Sequence, residues 1–198
     1  MAVTDPYARA SDYREEFPGA AIDDDTELER QLTAMSRYIE MCTGQFFTLD
    51  ASAVARVYMG DGTNQLWLQE NLAVSPTSVK FDTNNDGTYA TTVTTFELWP
   101  LNAARGPEVK PWRRIDLPPW GTYTTFPANT RVQVTAQWGW LTVPAAIRLA
   151  CIHLTALLRM ETPRATTTIS ELGETVGQSP QARGIIEDLL KTYPRVPL

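Results

Sequence analysis

Trp138-Gly139-Trp140-Leu141-Thr142-Val143-Pro144-Ala145-Ala146-Ile147-Arg148-Leu149-Ala150 joins the end of an alternating strand to the start of a long apolar helix. Upstream, Arg131-Val132-Gln133-Val134-Thr135-Ala136-Gln137-Trp138 alternates polar with apolar residues at period two, as a half-buried strand must. Downstream, Thr142 stands where it caps a helix, and Pro144 sits where a missing N–H costs nothing. The helix predicted from Pro144 reaches Glu161 and stops at Pro163, with Ile147, Cys151, Leu154 and Leu158 on one face.

Outward from this junction the chain divides into segments. Residues 1–22 read as a lead-in that contains the turn signal Phe17-Pro18-Gly19. A first helix is expected over 23–44. Asp23, Asp24 and Asp25 place negative charge at its N-terminus, and Thr26 with Glu29 has capping-box spacing. Leu28, Leu32, Met35, Ile39 and Cys42 recur at steps of three and four, and Gly44 ends the helix. Residues 54–138 change character, with Val, Thr, Tyr and Trp in short runs broken by Gly, Pro, Asn and Asp. About five or six strands are expected there: Val54 to Met59, Gln65 to Leu68, Ser78 to Asp82, Thr92 to Trp99, Arg113 to Leu117 and Arg131 to Trp138. A final helix opens at Ser179-Pro180, carries Ile186, Leu189, Leu190 and Tyr193, and ends at Pro194. The fold class is therefore α+β: a small bundle of about three main helices with a β-rich insertion between the first two long ones, in one domain spanning 1–198.

Further stretches accompany the junction: Tyr58-Met59-Gly60-Asp61-Gly62-Thr63-Asn64-Gln65-Leu66-Trp67-Leu68, then Asp86-Gly87-Thr88-Tyr89 followed by Leu98-Trp99-Pro100-Leu101-Asn102, and Cys42-Thr43-Gly44-Gln45-Phe46-Phe47. In this order they resemble the head-to-tail connector proteins, the neck adaptors of tailed phages and gene transfer agents, over roughly residues 25 to 160. The resemblance implies a non-enzymatic virion protein, assembled in the bacterial cytoplasm. It implies a homo-oligomeric ring, a dodecamer, that docks on the portal protein on one side and on a stopper or tail-terminator protein on the other. DNA would pass through the lumen without specific binding.

Composition agrees with a globular protein: 43% of the 198 residues are apolar and 20% are charged. No apolar run approaches the length needed to cross a bilayer, and Met1-Ala2-Val3-Thr4-Asp5-Pro6 lacks the order of a signal peptide, so no membrane partner is expected. A net charge of -6 argues against a nucleic-acid reader. An acidic wall would instead repel phosphate and let a duplex slide.

The chemistry-bearing residues point to no catalytic, cofactor or metal site. Asp82-Thr83-Asn84-Asn85-Asp86-Gly87-Thr88 copies the first half of an EF-hand loop, but Val93 stands where the bidentate glutamate belongs, which favours a hairpin turn. Asp23-Asp24-Asp25 serves as a helix start better than as a metal cluster. His153 is the one histidine and reads as a packed or interface residue; Cys42 and Cys151 read as buried free thiols. No phosphate loop and no Gly-x-Ser-x-Gly elbow exists.

Six tryptophans, Trp67, Trp99, Trp112, Trp120, Trp138 and Trp140, fall in or beside the β-rich region. Core, subunit interface and sugar platform are the three readings, with core first. Trp112 and Trp120, in Pro-flanked loops, are the interface candidates. Residues 163–178 read as a mobile segment in which Ile169, Leu172 and Val176 fall on one face and would become ordered against the portal or a neighbouring subunit. The alternative to a ring adaptor is a monomeric, non-catalytic β-rich module that binds carbohydrate or calcium.

Overall fold

The computed structural model describes residues 5–20, 24–103, 109–161 and 180–193. Its described elements are four helices and seven strands in two sheets, an α+β arrangement with the strands between the first two long helices, as the periodicities predict. Two compact units result, one made of both ends of the chain and one of the middle.

The helical unit holds α1 (Ala10–Glu16), α2 (Asp25–Thr43), α3 (Ala145–Glu161) and α4 (Pro180–Thr192). Leu28, Leu32, Met35 and Ile39 of α2 are fully buried, as are Ile147, Cys151 and Leu154 of α3; the three- and four-residue spacing puts each set on one face. Gly44 closes α2 in the left-handed conformation, its N–H donating to the Glu40 carbonyl at 2.7 Å. The N-cap is Asp24, whose carboxylate accepts from the Thr26 N–H at 2.8 Å. The Glu29 expected in a capping box reaches away instead, accepting the Ala10 N–H at 2.8 Å and tying α1 to α2. Helix α1 lies in what reads as lead-in sequence; seven residues carry too little periodicity to announce a helix, and Ala10 and Tyr13 are buried only because tertiary contacts supply the surface. At α3 the first helical bond runs from the Arg148 N–H to the Pro144 carbonyl at 3.0 Å, so proline occupies the N-cap position.

The β unit holds β1 (Val54–Met59), β2 (Gln65–Leu72), β3 (Ser78–Asp82), β4 (Thr91–Val93), β5 (Glu97–Trp99), β6 (Trp112–Asp116) and β7 (Arg131–Ala136). One antiparallel sheet has the order β1-β7-β3-β4 and the other β2-β6-β5. Both contribute to one core: Leu66, Leu68, Leu72 and Ile115 from the second, Val79, Phe81, Val132 and Val134 from the first. Phe81 packs edge-on against Tyr123 and Phe126 at 5.4 and 5.9 Å between ring centroids.

The predicted strand Thr92 to Trp99 is two strands. Thr91–Val93 pairs with β3 in one sheet, and Glu97–Trp99 pairs with β6 in the other. The inward positions show why: Val93 is buried at an odd position, whereas Phe96 and Leu98 pack on the core from even ones. A period of two does not change phase within one strand, so the chain breaks and crosses between sheets. The predicted strand Gln65 to Leu68 runs on to Leu72 through a register shift after Trp67. Predicted positions 163–178, with Ile169, Leu172 and Val176, lie outside the described residues.

Candidate assembly surface

The six tryptophans separate by burial. Trp138 and Trp140, from the strand-to-helix junction, are buried, Trp138 in the core of the β unit. The Trp138 indole N–H donates to the Val54 carbonyl at 2.9 Å, and the Arg56 guanidinium stacks over its ring at 4.6 Å. That arginine also pairs with Asp50 and Glu70, and its burial lowers its pKa. Trp112 does not lie in a loop: it opens β6, opposite Leu72, and packs half-buried against the core. Trp120 is 73% exposed in the turn after β6.

The second sheet carries an aromatic and ionic array. Trp67 on β2 and Trp99 on β5 both stand opposite Arg114 on the central strand β6, which places the three on one face. The Arg114 guanidinium lies 5.1 Å from the Trp67 ring and 4.7 Å from the Trp99 ring, a cation held between two indoles. Asp116, two residues along the same face, accepts a hydrogen bond from Nη2 at 2.9 Å, and its other carboxylate oxygen lies 2.7 Å from Nε as an ion pair. Its carboxylate balances the charge and fixes the orientation of the fork. Trp67 remains 60% exposed at the edge of the array. A face with a rigid, exposed aromatic at its rim is suited to recognition.

The array was missed by sequence reasoning, which places core first among the readings of the six tryptophans and does not bring Arg114 beside them. The signal was present as period two: Arg113 and Arg114 must point to opposite faces. Arg113 indeed points the other way, donating from Nε to the Asn71 Oδ1 at 3.0 Å.

The remaining chemistry-bearing residues hold structure. Asp82 is fully buried and accepts from the Asp86 and Gly87 N–H groups at 3.1 and 2.9 Å, while Asp86 accepts from the Thr88 N–H at 2.7 Å. The EF-hand-like run is thus a turn whose carboxylates face backbone donors. His153 is partly exposed, with Nε2 3.6 Å from a Glu16 carboxylate oxygen and its ring edge-on to Phe17. Cys151 is buried, with Sγ 3.4 Å from both the Ser36 hydroxyl and the Leu32 carbonyl, and burial pushes its thiol up to about 11. Cys42 is only half-buried and is a free thiol, as is Cys151. Among the described residues no three His, Cys, Asp or Glu side chains are grouped to hold a metal, and no helix is long and apolar enough to cross a membrane.

No family model matches the chain, and no curated protein matches it by sequence. Among solved structures the fold is similar to a chain from the neck of an empty GTA particle computed with C6 symmetry. That likeness covers 100% of this chain and 95% of the other, with a TM-score of 0.58 at 16% sequence identity.

Proposed function

We propose that this protein is a non-enzymatic structural component of the neck of a phage-like particle, a ring-forming adaptor between the portal and the tail. The observation that carries the reading is the full-length fold likeness to a GTA neck chain, which spans both units instead of one module. The sequence resemblance to head-to-tail connectors, carried by the 138–150 junction and the Tyr58-to-Leu68 run, supports the same reading. A sugar- or calcium-binding module would not account for the helical unit built from both ends of the chain. Calcium also has no natural seat at Asp82, whose oxygens face backbone amides.

In this reading the ring is a dodecamer, a number that six-fold symmetry accommodates. Portal and stopper or tail-terminator proteins would bind its two sides. The acidic balance of -6 would line the conduit with a wall that does not retain DNA. Trp112 is largely committed to the core, so contact would fall to Trp120, the Trp67–Arg114 array, and Ile169, Leu172 and Val176. The test is to purify particles and determine whether the chain is present in stoichiometric, ring-like copy number at the head–tail junction. Its presence in the capsid shell or tail tube alone would refute the reading.

A further inference from the structure

The edge strand β1 lacks the protection that isolated sheets carry. It runs six residues in unbroken register with β7, with no proline, no bulge and no lysine. Its one charged residue, Arg56, faces inward onto Trp138. The residues on its outer face are Ala55, Val57 and Met59, all exposed, Val57 at 52% and Met59 at 58%. Across the rest of that face the same rows are polar: Val57 continues through Gln133 and Lys80 to Thr92. The opposite edge, β4, is only three residues long, but residues 88–96 carry no charge that would repel a pairing strand. Among the described residues no strand covers the outer edge of β1 or of β4.

Strand direction identifies the occupant. Each neighbouring pair in β1-β7-β3-β4 is antiparallel, so with four strands β1 and β4 run in opposite directions. Copies repeated by rotation about a ring axis therefore bring β4 of one beside β1 of the next as an ordinary antiparallel pair. These are two different edges, as a heterologous ring contact requires, and neither brings a like charge to the other. Thr92, on the same outer face, also has the β-branched shape that packs well against Val57 and Met59.

We propose that the β1 edge pairs with the β4 edge of a second copy of this chain, continuing the sheet from subunit to subunit. The proposal rests on the ring reading and names its seam. Three paired residues make a weak contact alone, so the seam forms within the closed ring, where every subunit is held on both sides.

The experiment places Thr92→Cys with Ala55→Cys, Val57→Cys or Met59→Cys in turn, in a Cys42→Ala chain, and oxidises assembled particles mildly. These three partners sample the registers that keep the face. One pair should give a covalent ladder in whole-subunit steps, while single-cysteine chains give none. A dimer from Val57→Cys alone would mean a two-fold β1–β1 contact and would overturn the proposal. So would particles that contain the chain yet yield no ladder with any pair, a result that leaves the neck reading standing. Absence of the chain from particles would remove both. As a second readout, Val57→Lys should leave the melting temperature of the free protein unchanged and lower incorporation into particles at least tenfold; unchanged incorporation contradicts the seam.

Discussion

The backbone of Gly139 lies so close to that of Thr48 that an added Cβ would stand 1.8 Å from the Thr48 carbonyl oxygen, at a residue whose φ is +102°. The same carbonyl accepts from the Trp140 N–H at 3.4 Å, and the Gly139 N–H donates to Asn71 at 2.8 Å. The chain thus leaves the strand through a bend that admits no side chain. Gly139→Ala should cost about 3 kcal/mol or more, because strain at a positive φ adds to a backbone clash. Gly87→Ala, at φ +86° but with nothing near its Cβ position, should cost only about 1 kcal/mol. Urea unfolding of the two variants checks the difference.

The Arg114 array gives a second expectation. Arg114→Ala removes the cation between Trp67 and Trp99 and leaves the buried carboxylate of Asp116 without its strongest partner. A loss of about 1–3 kcal/mol in unfolding free energy should follow. Arg114→Lys should recover part of it, since an ammonium restores charge but neither the planar stack nor the two-point contact.

Trp120→Ala should separate stability from assembly. With 73% of the residue exposed, unfolding should change by no more than about 0.5 kcal/mol. Incorporation into particles should nevertheless fall if this face meets a partner. Equal incorporation of wild type and variant would remove Trp120 from the contact surface.

Alkaline pH should destabilise the helical unit through Cys151. Burial favours the neutral thiol, so its folded pKa of about 11 stands above the ordinary 9.0. Below about pH 9 both states hold the proton and the contribution is complete; between 9 and 11 the unfolded chain ionises first and stability falls. Tyr58, pushed up to about 12 by burial, adds the same sign above pH 10 in the β unit. Cys151→Ala should flatten the pH 9–11 part of the stability curve, and thiol reagents should modify Cys42 well before Cys151.

Calcium should leave thermal unfolding unmoved. Asp82 spends its carboxylate on the Asp86 and Gly87 amides, and a ligand that binds only the folded state would have to raise the midpoint. Melting with millimolar calcium and with chelator should coincide.

The long elements were legible because their burial is periodic. Leu28, Leu32, Met35 and Ile39 announce α2, and Val132, Val134 and Ala136 announce β7, because each set meets one core. Where tertiary contact overrides local pattern, legibility fails. Helix α1 is too short to show a period, and its start is tied down by Glu29, nineteen residues away in sequence. The break between β4 and β5 was readable in principle, since the inward phase shifts between Val93 and Phe96, yet the run of Thr and Val looks like one strand. The surface was the least legible part. Trp112 and Trp120 are alike in sequence, flanked by proline, and only strand pairing assigns the first to β6. The Trp67–Arg114–Trp99 row joins residues from three strands, and no one-dimensional pattern contains it.

The central claim, a structural role in the neck, is tested most directly by deleting the gene in a producing strain and imaging the particles. The account predicts heads filled with DNA and separate, complete tails, with joining restored by the wild-type chain. Particles that join heads to tails normally in its absence would contradict it.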